Sequence, residues 1–207
     1  MREVFAEKNL NYVSKYYQLT DTEKIKIKYG LEVLYTIITK TLGILFISLF
    51  LKTFKETIIL MLFYLLLRLF SHGIHAKKSS QCWVASILTY GAFPLLIKYY
   101  VINKFYILIM SIVALVCFII WAPADTPKKP LINKKKRVLD KLLTVAISTV
   151  LMFIPFLSNN SLINNCIFFS YIMSIISINP LTYKLFGIPF NNYKNYKKRF
   201  ELVNKTD

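Results

Sequence analysis

Acidic side chains are scarce in this chain. Ten Asp and Glu stand against 27 Lys and Arg, which leaves a formal net charge of +17 over 207 residues. Cysteine is scarcer still: Cys82, Cys117 and Cys166 make no disulfide framework. Cys117 (ALVCFII) and Cys166 (NNCIFFS) lie inside apolar runs, where a thiol behaves as a small core residue. There are only two histidines, and both fall in one short polar break, RLFSHGIHAKKSSQCW, Arg68 to Trp83. No internal repeat or low-complexity linker divides the chain, so a single domain over 1–207 is expected. No cleavable signal peptide is legible either, because residues 1–28 are charged and lack an apolar core.

What is plentiful is hydrocarbon. Hydrophobic residues make up 56% of the chain and aromatics 15%, against about 45–50% apolar in soluble domains even with glycine counted. The excess is gathered into six segments, 31–51, 55–70, 82–99, 104–121, 138–157 and 162–179, near the roughly 20 residues that cross a bilayer as helix. The expected fold is an all-α, polytopic membrane bundle of about six transmembrane or membrane-embedded helices. An amphipathic helix in an arm over 1–28 precedes the bundle over 31–179, and a basic tail over 184–207 follows it. Thr20-Asp21-Thr22-Glu23 supplies a helix start signal. Pro94 and Pro155 should kink or end their helices. Lys40 falls inside the first segment, so either that span is shifted or the lysine faces a polar interior.

In a soluble protein so basic a balance would point to nucleic acid. Here it is better read as loops that orient helices and touch anionic lipid. The N-terminal arm, the 71–81 loop, the 122–141 loop and the tail are rich in Lys and Arg, whereas the alternate loops are nearly bare. With six spans every strongly basic connection falls on one side of the cell membrane, which is cytoplasmic by the positive-inside rule, and both termini are then cytoplasmic. Four spans with two re-entrant segments would keep the same sidedness.

The polar break places His75 and Cys82 at that cytoplasmic leaflet. A free thiol is only a few per cent thiolate at neutral pH, and a neighbouring imidazole that takes its proton makes it a nucleophile. Seven residues of continuous helix would set the two side chains about 10 Å apart, while proton transfer needs about 3 Å. The chain must therefore bend between them, near Lys77-Lys78-Ser79-Ser80. Gly73 permits close backbone approach, and Arg68, Lys77 and Lys78 favour thiolate over thiol. The same stretch admits blander readings, with Cys82 structural and His72 interfacial or capping. A three-ligand metal site of His72, His75 and Cys82 is a further alternative, weakened because no Asp or Glu lies nearby in sequence to orient the histidines. No metal or other cofactor is expected.

The block resembles the accessory gene regulator protein B family (AgrB), membrane endopeptidases that mature bacterial quorum-sensing peptides. The family signature runs R-x-x-x-G-G-x-H-A, then a Cys six residues later and a Ser four beyond. It is met by Arg68, Gly73, His75, Ala76, Cys82 and Ser86, with His72 in place of the first glycine. WAPADTPKKPL, Trp121 to Leu131, looks like the family's Ala-Pro…Pro loop. The resemblance implies that Cys82 is the nucleophile and His75 its base. It also implies an acyl-enzyme thioester resolved by cyclisation to a thiolactone or lactone, and a small precursor with an acidic C-terminal region as substrate. Arg68 and Gly73 would support the site. Ser86 or Asp125 would orient His75, while Lys77, Lys78, Lys134, Lys135, Lys136 and Arg137 would receive the acidic region. A homodimer is compatible with the resemblance. The competing reading is a non-enzymatic exporter subunit in which the polar break lines a path, although the charge symmetry between halves that marks many transporters is missing.

Overall fold

The computed structural model describes residues 2–17, 19–74, 79–127 and 130–194, without the side chains of 79–82. His75, Lys77, Lys78 and the tail beyond Lys194 lie outside the described residues, and Cys82 is described by its backbone alone. Every apolar segment folds as helix, and no strand forms among the described residues. The chain divides into two compact units, Met1–Phe50 and Leu51–Asp207.

The first unit is a helical hairpin of α1 (Arg2–Ser14) and α2 (Asp21–Phe50). The start signal at Thr20 is realised as a reciprocal cap. The Thr20 N–H donates to Glu23 Oε2 at 2.9 Å, and the Glu23 N–H returns to Thr20 Oγ1 at 3.4 Å. From there α2 runs 30 residues, about 45 Å at 1.5 Å per residue. The two helices are joined by Lys28–Glu7 at 2.8 Å, Arg2–Glu32 at 3.2 Å and the ring pair Phe5–Tyr35. The Lys28 ammonium holds the Glu7 carboxyl below the usual carboxylate range.

The second unit holds α3 (Phe54–Ser71), α4 (Ser79–Tyr99), α5 (Lys104–Trp121), α6 (Lys134–Leu157), α7 (Ser161–Ile178) and the short α8 (Pro180–Leu185). Asparagine starts four of these helices: Asn103, Asn133, Asn160 and Asn179 each accept from a backbone N–H in the first turn. Helix α4 continues past Pro94 to Tyr99, and α6 continues two residues past Pro155 to Leu157. A proline removes one backbone hydrogen bond, and the apolar packing of flanking turns carries the helix past it.

Helices α2, α5, α6 and α7 are long and apolar enough to cross a membrane. Helix α3 carries Lys55, Glu56 and Arg68 along its 18 residues, so its composition is more mixed. The centre of the unit is α7: 61% of its apolar window is buried, against 22% in α5 and 28% in α6. Small polar residues let its neighbours approach closely. The hydroxyls of Ser170 and Ser177 donate back to α7 carbonyls, and Tyr171 donates to the Ser148 carbonyl at 2.6 Å. Around them pack Leu67, Ala114, Phe118, Leu151, Ile167 and Ile178.

The antiparallel run sorts the connections into two ends. At one end Asn165 accepts from the Ile102 N–H and donates to the carbonyls of Ile97 and Tyr100, while Lys98 donates to the Lys52 carbonyl. The other end gathers the last turn of α3 with residues 72–74, the first turn of α4, the loop after α5, the first turns of α6 and the chain after α7.

Candidate functional site

Helix α3 stops because His72 leaves helical geometry. Its φ of 57° and ψ of −128° lie where L side chains rarely go, and Gly73 follows at φ 123°. A non-glycine residue held there stores about 1–3 kcal/mol of strain. Gly73 is required sterically as well. A Cβ added there would sit 2.8 Å from Ser177 Oγ and 2.9 Å from the Ser177 carbonyl oxygen.

The two residues after the bend are held on several sides. The Gly73 N–H donates to the Ala124 carbonyl at 3.0 Å, and the Ala124 N–H donates to the Ser71 carbonyl at 3.0 Å. The Ile74 N–H donates to the Ser177 carbonyl at 2.8 Å. Arg68, one turn before the end of α3, donates from Nη2 to the Ile74 carbonyl at 2.7 Å and from Nη1 to the Tyr64 hydroxyl. Its guanidinium therefore fixes the carbonyl directly preceding His75. The chain is helical again from Ser79, which puts Cys82 in the first turn of α4 and the half-buried Ser86 one turn on.

Two acids face this region from a distance in sequence. Asp140 of α6 pairs with His72, Oδ2 to Nε2, at 2.9 Å; the side chains are 7% and 12% exposed. The carboxylate that the polar break lacks nearby is thus delivered 68 positions downstream. Asp140 is the one acid in α6, set among the buried positions Thr144, Ser148 and Leu151. A lone acid on the buried face of an apolar helix was the signal that could have found it.

Asp125 is buried in the loop after α5, where its Oδ2 accepts from the N–H groups of Tyr193 at 2.9 Å and Leu131 at 3.4 Å. Its Oδ1 lies 3.8 Å from Arg137 Nη1. That is ion-pair range but beyond a hydrogen bond, and both atoms are without a hydrogen-bond partner. The Arg137 guanidinium also lies 3.6 Å from the centre of the Tyr193 ring. Arg137 is therefore turned inward, apart from the exposed Lys134, Lys135 and Lys136 with which sequence grouped it. Asp125 ties the loop to the segment after α8. Ser71 Oγ, Thr126 Oγ1 and Tyr183 OH are further buried polar atoms without a partner here. Burial, with the Asp125 charge added, pushes the Tyr183 phenol up.

The structure thus brings Arg68, His72, Gly73, Asp125, Arg137 and Asp140 to one end of the second unit. Among the described residues no group of three His, Cys, Asp or Glu is placed to hold a metal ion.

The accessory gene regulator B family model matches residues 6–178. An AgrB-like protein of Clostridium acetobutylicum is 33% identical over 186 residues, covering 90% of this chain and 89% of its own length. An AgrB-like protein of Listeria monocytogenes serovar 1/2a is 32% identical over 177 residues, with 84% and 85% covered. The accessory gene regulator protein B of Staphylococcus aureus is 35% identical over 129 residues, with 60% and 69% covered. No solved structure matches.

Proposed function

Because this chain belongs to the accessory gene regulator B family, whose members take part in quorum-sensing peptide processing, we propose that it is a membrane cysteine endopeptidase. Its substrate is a small precursor peptide with an acidic C-terminal region. The observation that carries the reading is the pinned segment Ser71–Ile74, which leads into His75 and is followed by a helix with Cys82 in its first turn. Pre-organised backbone on either side of a nucleophile and its base is what acyl transfer requires.

In this mechanism His75 takes the proton of the Cys82 thiol, and the thiolate attacks the scissile carbonyl. The tetrahedral oxyanion is met by N–H groups of the first turn of α4, which have no carbonyl partner within their helix. His75 then gives its proton to the departing amine, the C–N bond breaks, and the acidic tail leaves. The precursor stays bound as a thioester on Cys82. A thiol or hydroxyl within the precursor attacks that thioester, loses its proton to His75 and expels the Cys82 thiolate, which closes a thiolactone or lactone ring. Thiol-for-thiol exchange conserves the acyl activation, so ring closure needs no ATP. Water must be excluded, since hydrolysis would yield a linear product.

Lys134, Lys135 and Lys136 supply exposed positive charge for the acidic tail or anionic lipid, beside an apolar patch of Val138, Leu139 and Leu142. Lys77 and Lys78 belong to the same reading. Arg137, committed to Asp125 and Tyr193, does not. The positive-inside rule supports a cytoplasmic side for the basic end.

The test is tail release from a cognate precursor expressed with the protein. Cys82→Ala and His75→Ala should each abolish it and leave membrane insertion intact. Continued cleavage in Cys82→Ala would overturn the thiol mechanism. Chelator sensitivity joined to loss in His72→Ala would move the reading to a metal protease.

A further inference from the structure

The pairing of His72 with Asp140 joins two choices that are unfavourable one at a time. Glycine would occupy the backbone of residue 72 (φ 57°, ψ −128°) without strain, yet the chain places an imidazole there. A carboxylate buried on the inner face of α6 is costly without a partner, yet Asp140 stands there as that helix's one acid. Each is accounted for by the other, through the 2.9 Å contact between ring and carboxylate. The bond ties the last residue of the α3 turn to α6, at the point where the chain departs toward His75. After it, Gly73 and Ile74 are held by Ala124, Ser177 and Arg68. Among the described contacts, the His72 ring is the strap from this segment to α6.

We propose that His72 and Asp140 are a positioning pair for the thiol site: they set the direction in which the chain leaves α3, and through it where the His75 imidazole meets the Cys82 sulfur. The proposal rests on the endopeptidase reading. It assigns no proton transfer to His72, which acts through the backbone of 73–74.

The pair is testable because its strained member has a strain-free replacement. His72→Gly keeps the backbone conformation accessible but leaves the Asp140 carboxylate buried without its partner. Thermal stability in detergent should therefore fall, and kcat for tail release per folded molecule should fall about tenfold or more. KM should move less than about threefold, since no substrate contact is lost. Asp140→Leu should reproduce the kcat loss, and Asp140→Asn, which still accepts from the ring N–H, should lose less. The double variant His72→Gly/Asp140→Leu should be no worse than the more affected single one. Alkylation of Cys82 by iodoacetamide, followed by peptide mass mapping, should slow in His72→Gly because the thiol then meets its base less often. None of these effects should respond to chelators.

Wild-type kcat and alkylation in His72→Gly would overturn the proposal, as would losses that merely follow the folded fraction. Failure of the endopeptidase reading is separate: it shows as tail release persisting in Cys82→Ser, whatever His72 does.

Discussion

The two ends of the second unit solve the same problem with different chemistry. Where α4 meets α7, one neutral side chain, Asn165, satisfies a backbone N–H and two carbonyls, and Asn103 and Asn160 cap the adjacent helices. Where α3 meets α6, the connections are held by charges, a strained histidine and a glycine that admits no side chain. That end also buries Ser71, Asp125, Thr126, Arg137 and Tyr183 atoms with no hydrogen-bond partner, against Thr53 and Asn164 atoms at the amide end. The amide end is arranged for stability. The charged end departs from local rules in several places at once, and such departures concentrate where a protein does its chemistry.

The contrast can be broken by substitution at each end, comparing stability with tail release per folded molecule. Asp125→Ala should have the largest effect: it leaves the Arg137 guanidinium buried without a counter-charge, at a cost of about 3 kcal/mol, and frees the Tyr193 and Leu131 N–H groups. Tail release should fall with it. Gly73→Ala drives a Cβ into Ser177 at a positive φ, costing on the order of 2–3 kcal/mol, and should abolish tail release even in molecules that remain folded. A Gly73→Ala protein that keeps its rate would erase the distinction between the ends. Asn165→Ala removes three hydrogen bonds and should cost about 2 kcal/mol, seen as a lower midpoint of thermal unfolding, with the rate per folded molecule unchanged.

The smallest effect lies in the first unit. The Glu7 carboxyl is depressed by its hydrogen bond with Lys28. A carboxyl lowered on folding stabilises above its ordinary range and loses that contribution as pH falls through the lowered value. Amide protection in α1 should therefore weaken slightly in acid, and Glu7→Gln should flatten that dependence.

Much of the helical plan could be read from apolar runs alone. The segment 104–121 coincides with α5, and 162–179 lies one residue from α7. The misses share a cause. Helices α2 and α6 start earlier than 31 and 138 because their first turns are charged, and a hydropathy run does not register charged helix. The Thr20–Glu23 cap did mark the start of α2, since capping is local. The His72–Asp140 pair was hidden for the opposite reason: it joins residues 68 positions apart, and no local pattern encodes a contact made by helix packing. Grouping Arg137 with three lysines did not register its inward turn, because adjacent residues on a helix point about 100° apart. One faces inward while the others meet solvent.

The stacking of Tyr193 over Arg137 has a practical consequence for anyone tagging the protein. Residues Asn191–Lys194 are a lid on the basic loop, with Asn192 donating to the Asp125 carbonyl and the Tyr193 amide gripping its carboxylate. A deletion ending before Asn191 would uncap a buried cation, whereas a reporter fused beyond Lys194 leaves the lid in place.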